Sequence, residues 1–214
     1  MSAGAAPARA TTLGPVTSLA AARAHARALP FADDADDVLG MMADIWPVHV
    51  AAGPVHAPAL DVDAILVVTG DLIVDGLIAD VPSDHGAMLM VLGDLRARDL
   101  LFHGPIFVGG ALSVSGTTFL ASSGDWALMV GGDAGGGALV EYDHALDVRG
   151  ARRWQRTYRR GQDPSLLVAE EFLFPDPVRR RVEGVVREVT EWRIDPAPLE
   201  DELRAGRAVV RPLG

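Results

Sequence analysis

The chain has 214 residues, of which 49% are apolar, and it carries a formal net charge of −10 with no cysteine. The absence of cysteine excludes disulfides, Cys-based zinc sites and thiol nucleophiles, and the acidic charge argues against general nucleic-acid binding, which needs a basic field. The N-terminus lacks the apolar stretch of a secretory signal, and no apolar run reaches the roughly 18 residues of a membrane span, so we expect a soluble cytoplasmic protein without membrane contact.

Residues 1–60 predict a disordered tail followed by a helical cap. Small and polar residues with Gly and Pro fill positions 1–14, a composition typical of disorder. After them, Thr17 or Ser18 can cap an Ala-rich helix that stops at Pro30.

A second helix is predicted from Asp33 or Asp34 to Pro47, because apolar residues recur there at helical spacing. Two histidines, His49 and His56, follow it. Zinc sites use three or four ligands at recognisable spacing, so we interpret this pair as surface or hydrogen-bonded histidines and predict neither a metal nor a cofactor.

Residues 61–150 repeat one short phrase: VVTGDLIVDG, MVLGDLRARD, FVGGALSVSG and MVGGDAGGGA. On both sides of the shared glycine every second position is apolar, which is strand periodicity with one buried face. The shared glycines are Gly70, Gly93, Gly110 and Gly132, and the apolar position two places before each of them is Val68, Val91, Val108 and Val130.

A repeated strand–Gly–strand unit predicts a solenoid, because one unit cannot bury its own apolar face and stacked units share a continuous core. The glycine fits a corner where the backbone bends and often needs a positive φ. We therefore predict a short right-handed β-helix, with an antiparallel meander or barrel as the alternative.

The last copy of the repeat, HALDVRG, is irregular. When it is aligned on His144, only 12 residues separate it from Gly132, which is too few for a full coil. Residues 138–148 are therefore predicted to form a closing half-coil or hairpin.

The GDL-x-V-x-G cadence, together with the ending LRAGRAVVRP, resembles bacterial proteins with GDL repeats that are grouped with the polymer-forming bactofilins. The resemblance covers the middle and the extreme C-terminus of the chain. It implies a right-handed β-helix and a scaffold role, and it implies no catalytic residues. Apparent α-helices on both sides of the repeat depart from the short flexible tails of bactofilins.

Three aspartates follow the shared glycines, at Asp71, Asp94 and Asp133. Stacked carboxylates could line one edge of a solenoid and bind Ca²⁺ or a sugar polymer, but Ala111 interrupts the column and turn chemistry explains the residues without a ligand. They stay weak candidates for a site. In the same register Asp75 and Arg98 are predicted to form an exposed pair on adjacent coils.

Two Asp–His pairs, Asp84-His85 and Asp143-His144, and the nearby His103 suggest a general base with its orienting carboxylate. Adjacent residues of a strand point to opposite faces, so a sequence pair is not a working pair. His85, Asp143 and His144 are weak polar candidates, and we predict that the protein is not an enzyme.

An arginine run with interleaved aromatic residues is the most unusual local composition. Guanidinium groups bind carboxylate or phosphate, and aromatic rings stack on partner groups. The alternative is a solvated basic strand that neutralises the protein's own acidic surface. The candidate partner surface comprises Arg149, Arg152, Arg153, Trp154, Arg156, Tyr158, Arg159 and Arg160.

Residues 151–214 are predicted to form an arginine-rich link and a C-terminal helical cap. Three Asp-Pro pairs open predicted helices, at 163–173, at 176–189 with a stripe of valines, and from Asp195 onward with Leu199 and Leu203.

The sequence thus predicts a mainly β protein, a short right-handed β-helix capped by α-helices at both ends. We expect a non-enzymatic scaffold or protein-binding module whose partner is another protein or a second copy in a small homo-oligomer. The alternatives are bactofilin-like self-assembly and an enzyme that acts on a carbohydrate-like polymer along the solenoid face.

Overall fold

The computed structural model describes residues 7–81, 86–122, 126–159, 162, 167–168, 170–182 and 185–210. Its elements in chain order are β1 (Ala8–Arg9), α1 (Ala10–Leu13), α2 (Leu19–Ala26), α3 (Ala32–Met42), β2 (Val48–Ala51), β3 (Val55–Ala57), β4 (Leu60–Val62), β5 (Ile65–Val68), β6 (Leu72–Asp80), β7 (Met88–Val91), β8 (Leu95–Phe102), β9 (Ile106–Val108), β10 (Leu112–Ala121), β11 (Ala127–Val130), β12 (Ala134–Tyr142), β13 (Ala145–Val148), β14 (Arg152–Arg159), a 3₁₀ turn (Glu170–Phe172), β15 (Leu173–Val182), β16 (Val185–Ile194) and α4 (Pro196–Arg204).

The chain winds between two parallel sheets. One sheet has the order β1-β4-β6-β8-β10-β12-β14 with β3 also on β6, and the other has the order β2-β5-β7-β9-β11-β13. Successive strands of each sheet come from successive windings, so the fold is a β-solenoid of about six turns. The predicted solenoid is confirmed, and the antiparallel alternative is wrong.

Residues at the same place in the repeat lie directly above one another. Val68 is paired with Val91, Val91 with Val108, and Val108 with Val130. These side chains are fully buried in one continuous interior cluster. The alternation of apolar residues therefore predicted the inward face correctly, because only side chains of one face of a strand can point into the tube.

The glycine column is explained by close approach and not by backbone handedness. Gly93 donates its N–H to the Gly70 carbonyl at 3.1 Å, and Gly110 donates to Gly93 at 2.9 Å. A Cβ on Gly93 would lie 2.8 Å from the Gly70 carbonyl carbon, which is tighter than real contacts allow. Neither glycine has a positive φ, so the expected positive φ at this corner is wrong.

The last copy of the repeat is a full coil. Gly150, and not His144, continues the glycine column, since its N–H donates to the Gly132 carbonyl at 3.1 Å. The resulting spacing from Gly132 to Gly150 is 18 residues, and Val148 pairs with Val130. The predicted half-coil is wrong because Gly150, and not His144, is the equivalent of the shared glycines.

The parallel sheets also begin earlier than residue 61. In the first coil Val48 pairs with Ile65, and Val55 pairs with Leu72. His49 and His56 consequently lie on strands β2 and β3. The repeat in this coil is hard to read because a histidine occupies one of the positions that is leucine or isoleucine in the next coils.

Both N-terminal helices are confirmed, but they lie along the side of the solenoid. Ser18 caps α2 by accepting a hydrogen bond from the N–H of Ala21 at 3.2 Å. Buried residues of α2 and α3, such as Leu39 and Met42, pack against the outward side chains of β5, β7 and β9, including Phe107. Continuous apolar runs such as ILVV and MLMV indicate this covering, because apolar and polar residues do not alternate in a strand that is buried on both faces.

Much of the outer face of the eight-stranded sheet is covered by the C-terminal segment. Leu199 and Leu203 of α4 pack with Phe119 and Tyr158 in a second buried cluster. The predicted α4 is confirmed, and Asp195 caps it through a 3.3 Å bond from the N–H of Ala197. Helical caps at both ends are not confirmed, because α2, α3 and α4 lie on lateral faces.

The predicted helix at 176–189 is wrong. The start of the predicted helix at 163–173 lies outside the described residues, and its end is the 3₁₀ turn at Glu170–Phe172. Residues 173–182 and 185–194 form an antiparallel hairpin, in which Val178 pairs with Val189 and Val182 with Val185. Valine is β-branched and restricted at χ1, so a valine-rich stripe at helical spacing is equally compatible with strands.

Candidate functional sites on the last coil and in the polar clusters

The last coil carries the arginine run on an edge strand. Among the described residues β14 pairs only with β12, and β13 pairs only with β11. Four of the eight residues of β14 are arginine. An edge strand presents unpaired backbone N–H and C=O groups, and charged side chains on it hinder indiscriminate pairing.

The inward columns become polar at this coil. Arg152 occupies the column of Leu112 and Ala134, and Thr157 lies above Leu139. Trp154 is half-buried against the interior cluster. A further apolar layer on this coil would have to bury the guanidinium group of Arg152. The apolar interior of the solenoid therefore ends at this coil.

Most of the candidate arginines contact this chain's own groups. Arg149 donates to the Pro30 carbonyl, and its guanidinium lies 5.5 Å from the centre of the Phe31 ring. Arg152 donates to the Leu146 carbonyl at 2.9 Å. Arg149 therefore fastens the helical segment to the solenoid, whereas Arg152 bridges the two sheets of the last coil.

Two further arginines form ion pairs with the preceding coil. Arg153 lies 3.4 Å from Asp133, and Arg159 lies 3.2 Å from Glu141. Both arginine side chains are at least half exposed, so each pair contributes little to stability. Arg160 lies outside the described residues.

Tyr158 differs from its neighbours on β14. It is 2% exposed and packs in the cluster beneath the C-terminal segment, where burial raises the pKa of its hydroxyl. In the structure Tyr158 is a core residue and does not contribute to an exposed partner surface.

The aspartate column connects consecutive coils. Asp71 accepts a hydrogen bond from the N–H of Asp94, Asp94 from that of Ala111, and Asp133 from that of Ala151, each at 2.9 Å. Each carboxylate thus satisfies a backbone donor of the following turn. Ala111 breaks the column because it has no acceptor to offer to the next coil.

Asp143 and His144 do not act as a pair. Asp143 is exposed with a φ of 55°, whereas His144 is 2% exposed. The ring nitrogens of His144 lie 3.0 Å from the Gly104 carbonyl oxygen and 3.1 Å from that of Ala145. Burial lowers the pKa of His144 despite these acceptors. His85 lies outside the described residues.

Asp75 and Arg98 are not paired either. Asp75 lies 3.1 Å from His56 on the coil before it, and Arg98 bonds Asp99 at 2.6 Å. The register between β6 and β8 shifts after Val74, and this bulge moves Asp75 away from Arg98. The predicted pair was wrong because a repeat alignment cannot reveal a bulge.

A largely buried polar cluster joins residues that are remote in sequence. His103 lies 2.9 Å from Asp80 through Nδ1 and 2.9 Å from Glu200 of α4 through Nε2. Asp80 is fully buried and also accepts the backbone N–H groups of His103 and Gly104 at 3.0 and 3.1 Å. Arg204 donates to the Asp80 carbonyl at 2.8 Å.

This cluster is suited to holding α4 on the solenoid and not to accepting a proton. Burial alone would lower the pKa of His103, but the hydrogen bonds to Asp80 and Glu200 outweigh it and raise the pKa to about 10. An imidazolium that is bonded at both nitrogens has no lone pair for a general base. Sequence analysis singled out His103 but not its partners, which are 23 and 97 residues away.

The protein is expected to lose stability as the pH rises from about 6.5 to about 9.5. The pKa of His103 is about 10 in the folded state and 6.5 ordinarily. The contribution of protonated His103 is thus complete below about pH 6.5 and disappears as the pH rises toward 10. Over this pH range, urea unfolding should show a fall in the free energy of unfolding on the order of 2–4 kcal/mol. In His103→Gln this slope should be absent, and a slope equal to that of the wild type would contradict the role of His103.

The described residues contain no group of three or more His, Asp or Glu side chains placed to hold a metal ion. His49 instead lies 2.9 Å from the Gly14 carbonyl, and His56 is an exposed partner of Asp75. None of the described helices is long and apolar enough to span a bilayer.

No protein-family model, curated protein or solved structure matches this chain, so its membership of a bactofilin-like GDL-repeat family stays a prediction from the sequence.

Proposed function

We propose that the protein is a non-enzymatic, right-handed β-solenoid scaffold of the bactofilin-like kind, and that its last coil binds a partner protein. The observation that supports this most is β14, an arginine-rich strand that has a neighbour on one side only within the described chain. A partner would add an extended segment beside β14, with backbone hydrogen bonds for affinity and acidic side chains for specificity.

The two ends of the solenoid differ, which favours a partner at the last coil. At the first coil Ala10 of α1 is fully buried in the interior cluster, and Ala8 donates to the Ala59 carbonyl at 2.9 Å. The segment 8–13 thus covers the first coil. With one end covered, the last coil is the end left for an added strand.

The lateral faces are less suited to a large partner. The outer face of the six-stranded sheet carries α2 and α3, and much of the outer face of the eight-stranded sheet carries the C-terminal segment. The lateral faces of the solenoid are thus already occupied over large areas by this chain.

Self-assembly is the second candidate, because the same unpaired strand edges could accept the edge of another copy. Head-to-tail stacking would require displacement of the segment 8–13, and head-to-head stacking would bring two sets of arginines together. Like charges at such short distance disfavour that contact.

A carbohydrate-acting enzyme has less support. Asp71, Asp94 and Asp133 each bond a backbone N–H of the next coil, and His144 is buried against two carbonyl groups. These contacts give the three aspartates and His144 structural roles, so we keep the scaffold proposal.

Site-specific crosslinking tests the proposed surface. A photoreactive residue at Thr157, which is exposed on β14, should crosslink to a distinct protein of the native host. A photoreactive residue at Thr11, which is exposed on α1 over the first coil, should not. The double variant Arg152→Glu/Arg153→Glu should abolish the adduct at position 157, because it reverses the charge of the edge.

A matched control is Arg27→Glu, since Arg27 is an exposed arginine at the end of α2, away from the last coil. It should leave the adduct unchanged. An adduct between two copies of this chain, with particles that grow with concentration in light scattering, would favour self-assembly. Absence of any adduct at position 157 would overturn the proposed binding at the last coil.

A further inference from the structure

A pocket of about 410 Å³ lies between the eight-stranded sheet and the segment after α4. Its floor comes from β10 and β12, at the point where Gly116 and Gly137 stack on one another. Arg98 of β8 and Arg156 of β14 flank it, and Arg207 lines the side formed by the C-terminal segment. The two flanking strands are three strand spacings apart, roughly 14 Å.

The pocket is locally basic in an acidic protein. Its lining contains three arginines and one acidic residue, Asp99, although the whole chain has a net charge of −10. A basic concave site attracts anions at short range, while the acidic protein as a whole repels a long polyanion. The charges thus favour a small anion over a nucleic acid.

Two of the three arginines are partly satisfied by neighbours. Arg98 donates through Nε to Asp99 at 2.6 Å, which leaves its terminal amino groups near Gly206 at the pocket. Arg207 uses Nε and one terminal nitrogen on Glu202. Arg98 therefore keeps donors for a ligand, whereas the charge of Arg207 is largely balanced by Glu202.

Arg156 is different because no hydrogen bond or ion pair to its side chain occurs within the described part of the chain, and its Nε is buried without an acceptor. A buried donor without an acceptor destabilises the folded state. A guanidinium group is also a rigid fork that matches the oxygens of a carboxylate or phosphate. An oxyanion in the pocket would give the Arg156 guanidinium group the ion pair that no described side chain provides.

We propose that this pocket binds a small oxyanion, a phosphate or a carboxylate group, with Arg156 as the main ligand-binding residue and Arg98 as the second. The site lies on the lateral face of the sheet. Arg156 belongs to β14, but neither Arg152 nor Arg153 lines the pocket. Its occupation does not depend on the scaffold function, so either proposal can fail alone.

Titration of the full chain with inorganic phosphate and with succinate, at constant ionic strength set by chloride, tests the site. At least one of the two anions should raise Tm by about 2 °C or more at saturating concentration. The same anion should shift the backbone amide NMR signals of Gly116, Gly137 and Gly206, which lie at the pocket. If only one of the two anions produces these changes, the pocket prefers the phosphate or the carboxylate group that this anion carries.

Arg156→Gln should weaken binding at least about tenfold, because it removes the charge and the fork. Arg27→Gln should bind like the wild type, and so should Arg152→Glu/Arg153→Glu, which separates this site from the edge of the last coil. The proposal is overturned if neither anion shifts the three glycine signals of the wild type. It is also overturned if Arg156→Gln binds as tightly as the wild type.

Discussion

Replacing Asp80 with alanine is expected to lower the free energy of unfolding by about 3–5 kcal/mol. The Asp80 carboxylate is fully buried, and it accepts bonds from the His103 ring and from two backbone N–H groups. Without it, His103 would keep only Glu200, and the buried N–H of Gly104 would lose its acceptor. Urea or thermal unfolding of Asp80→Ala measures the loss.

Asp75→Ala is the matched control, because Asp75 is also hydrogen-bonded to a histidine of a neighbouring coil. The pair of His56 and Asp75 is 64% and 67% exposed at its two side chains, whereas Asp80 is 0% exposed. An exposed pair is worth under about 1 kcal/mol, since water replaces the lost contact. Equal losses in Asp80→Ala and Asp75→Ala would show that burial does not strengthen the inner pair.

Local periodicity was sufficient to predict the interior of the solenoid. Val68, Val91, Val108 and Val130 occupy equivalent places because parallel strands in register place equivalent residues above one another. A shared core of this kind depends only on alternation within a strand and on the repeat length. Both properties are visible in a single sequence.

The lateral faces and the far end were harder to predict because they depend on tertiary contacts. The outward residues of β5 and β7 are apolar only because α2 and α3 cover them. Valine-rich residues 173–194 fit a helix by spacing and a hairpin by propensity, and spacing gave the wrong answer. The cluster around His103 needs α4 to return to the solenoid, which local sequence does not encode.

The candidate sites were likewise only partly predictable from the sequence. The aspartates after the glycines were recognisable as turn residues, but their bonds reach the next coil. The arginine run was visible in composition, yet only the strand order shows that it lies on the edge of the sheet. Arg98 and Arg156 line the same pocket because their strands, β8 and β14, lie on either side of β10 and β12. The C-terminal segment forms the remaining wall.

The edge position of the last coil predicts a gradient of stability along one inward column. Leu128 and Leu146 occupy the same column on adjacent coils, but Leu128 is fully buried and Leu146 is partly exposed. Leu128→Ala should lower the free energy of unfolding by about 2–5 kcal/mol, because it leaves a cavity between two rungs. Leu146→Ala should cost about 1 kcal/mol or less, since it removes less buried surface.

Urea unfolding of both variants measures this difference, and the bound partner should change it. A strand added beside the last coil would bury Leu146 further, so partner binding should increase the cost of Leu146→Ala and leave that of Leu128→Ala unchanged. If Leu146→Ala alone costs as much as Leu128→Ala in the isolated protein, this chain already covers its last coil. A partner would then have no free edge to bind, and the function proposed for β14 would have to be given up.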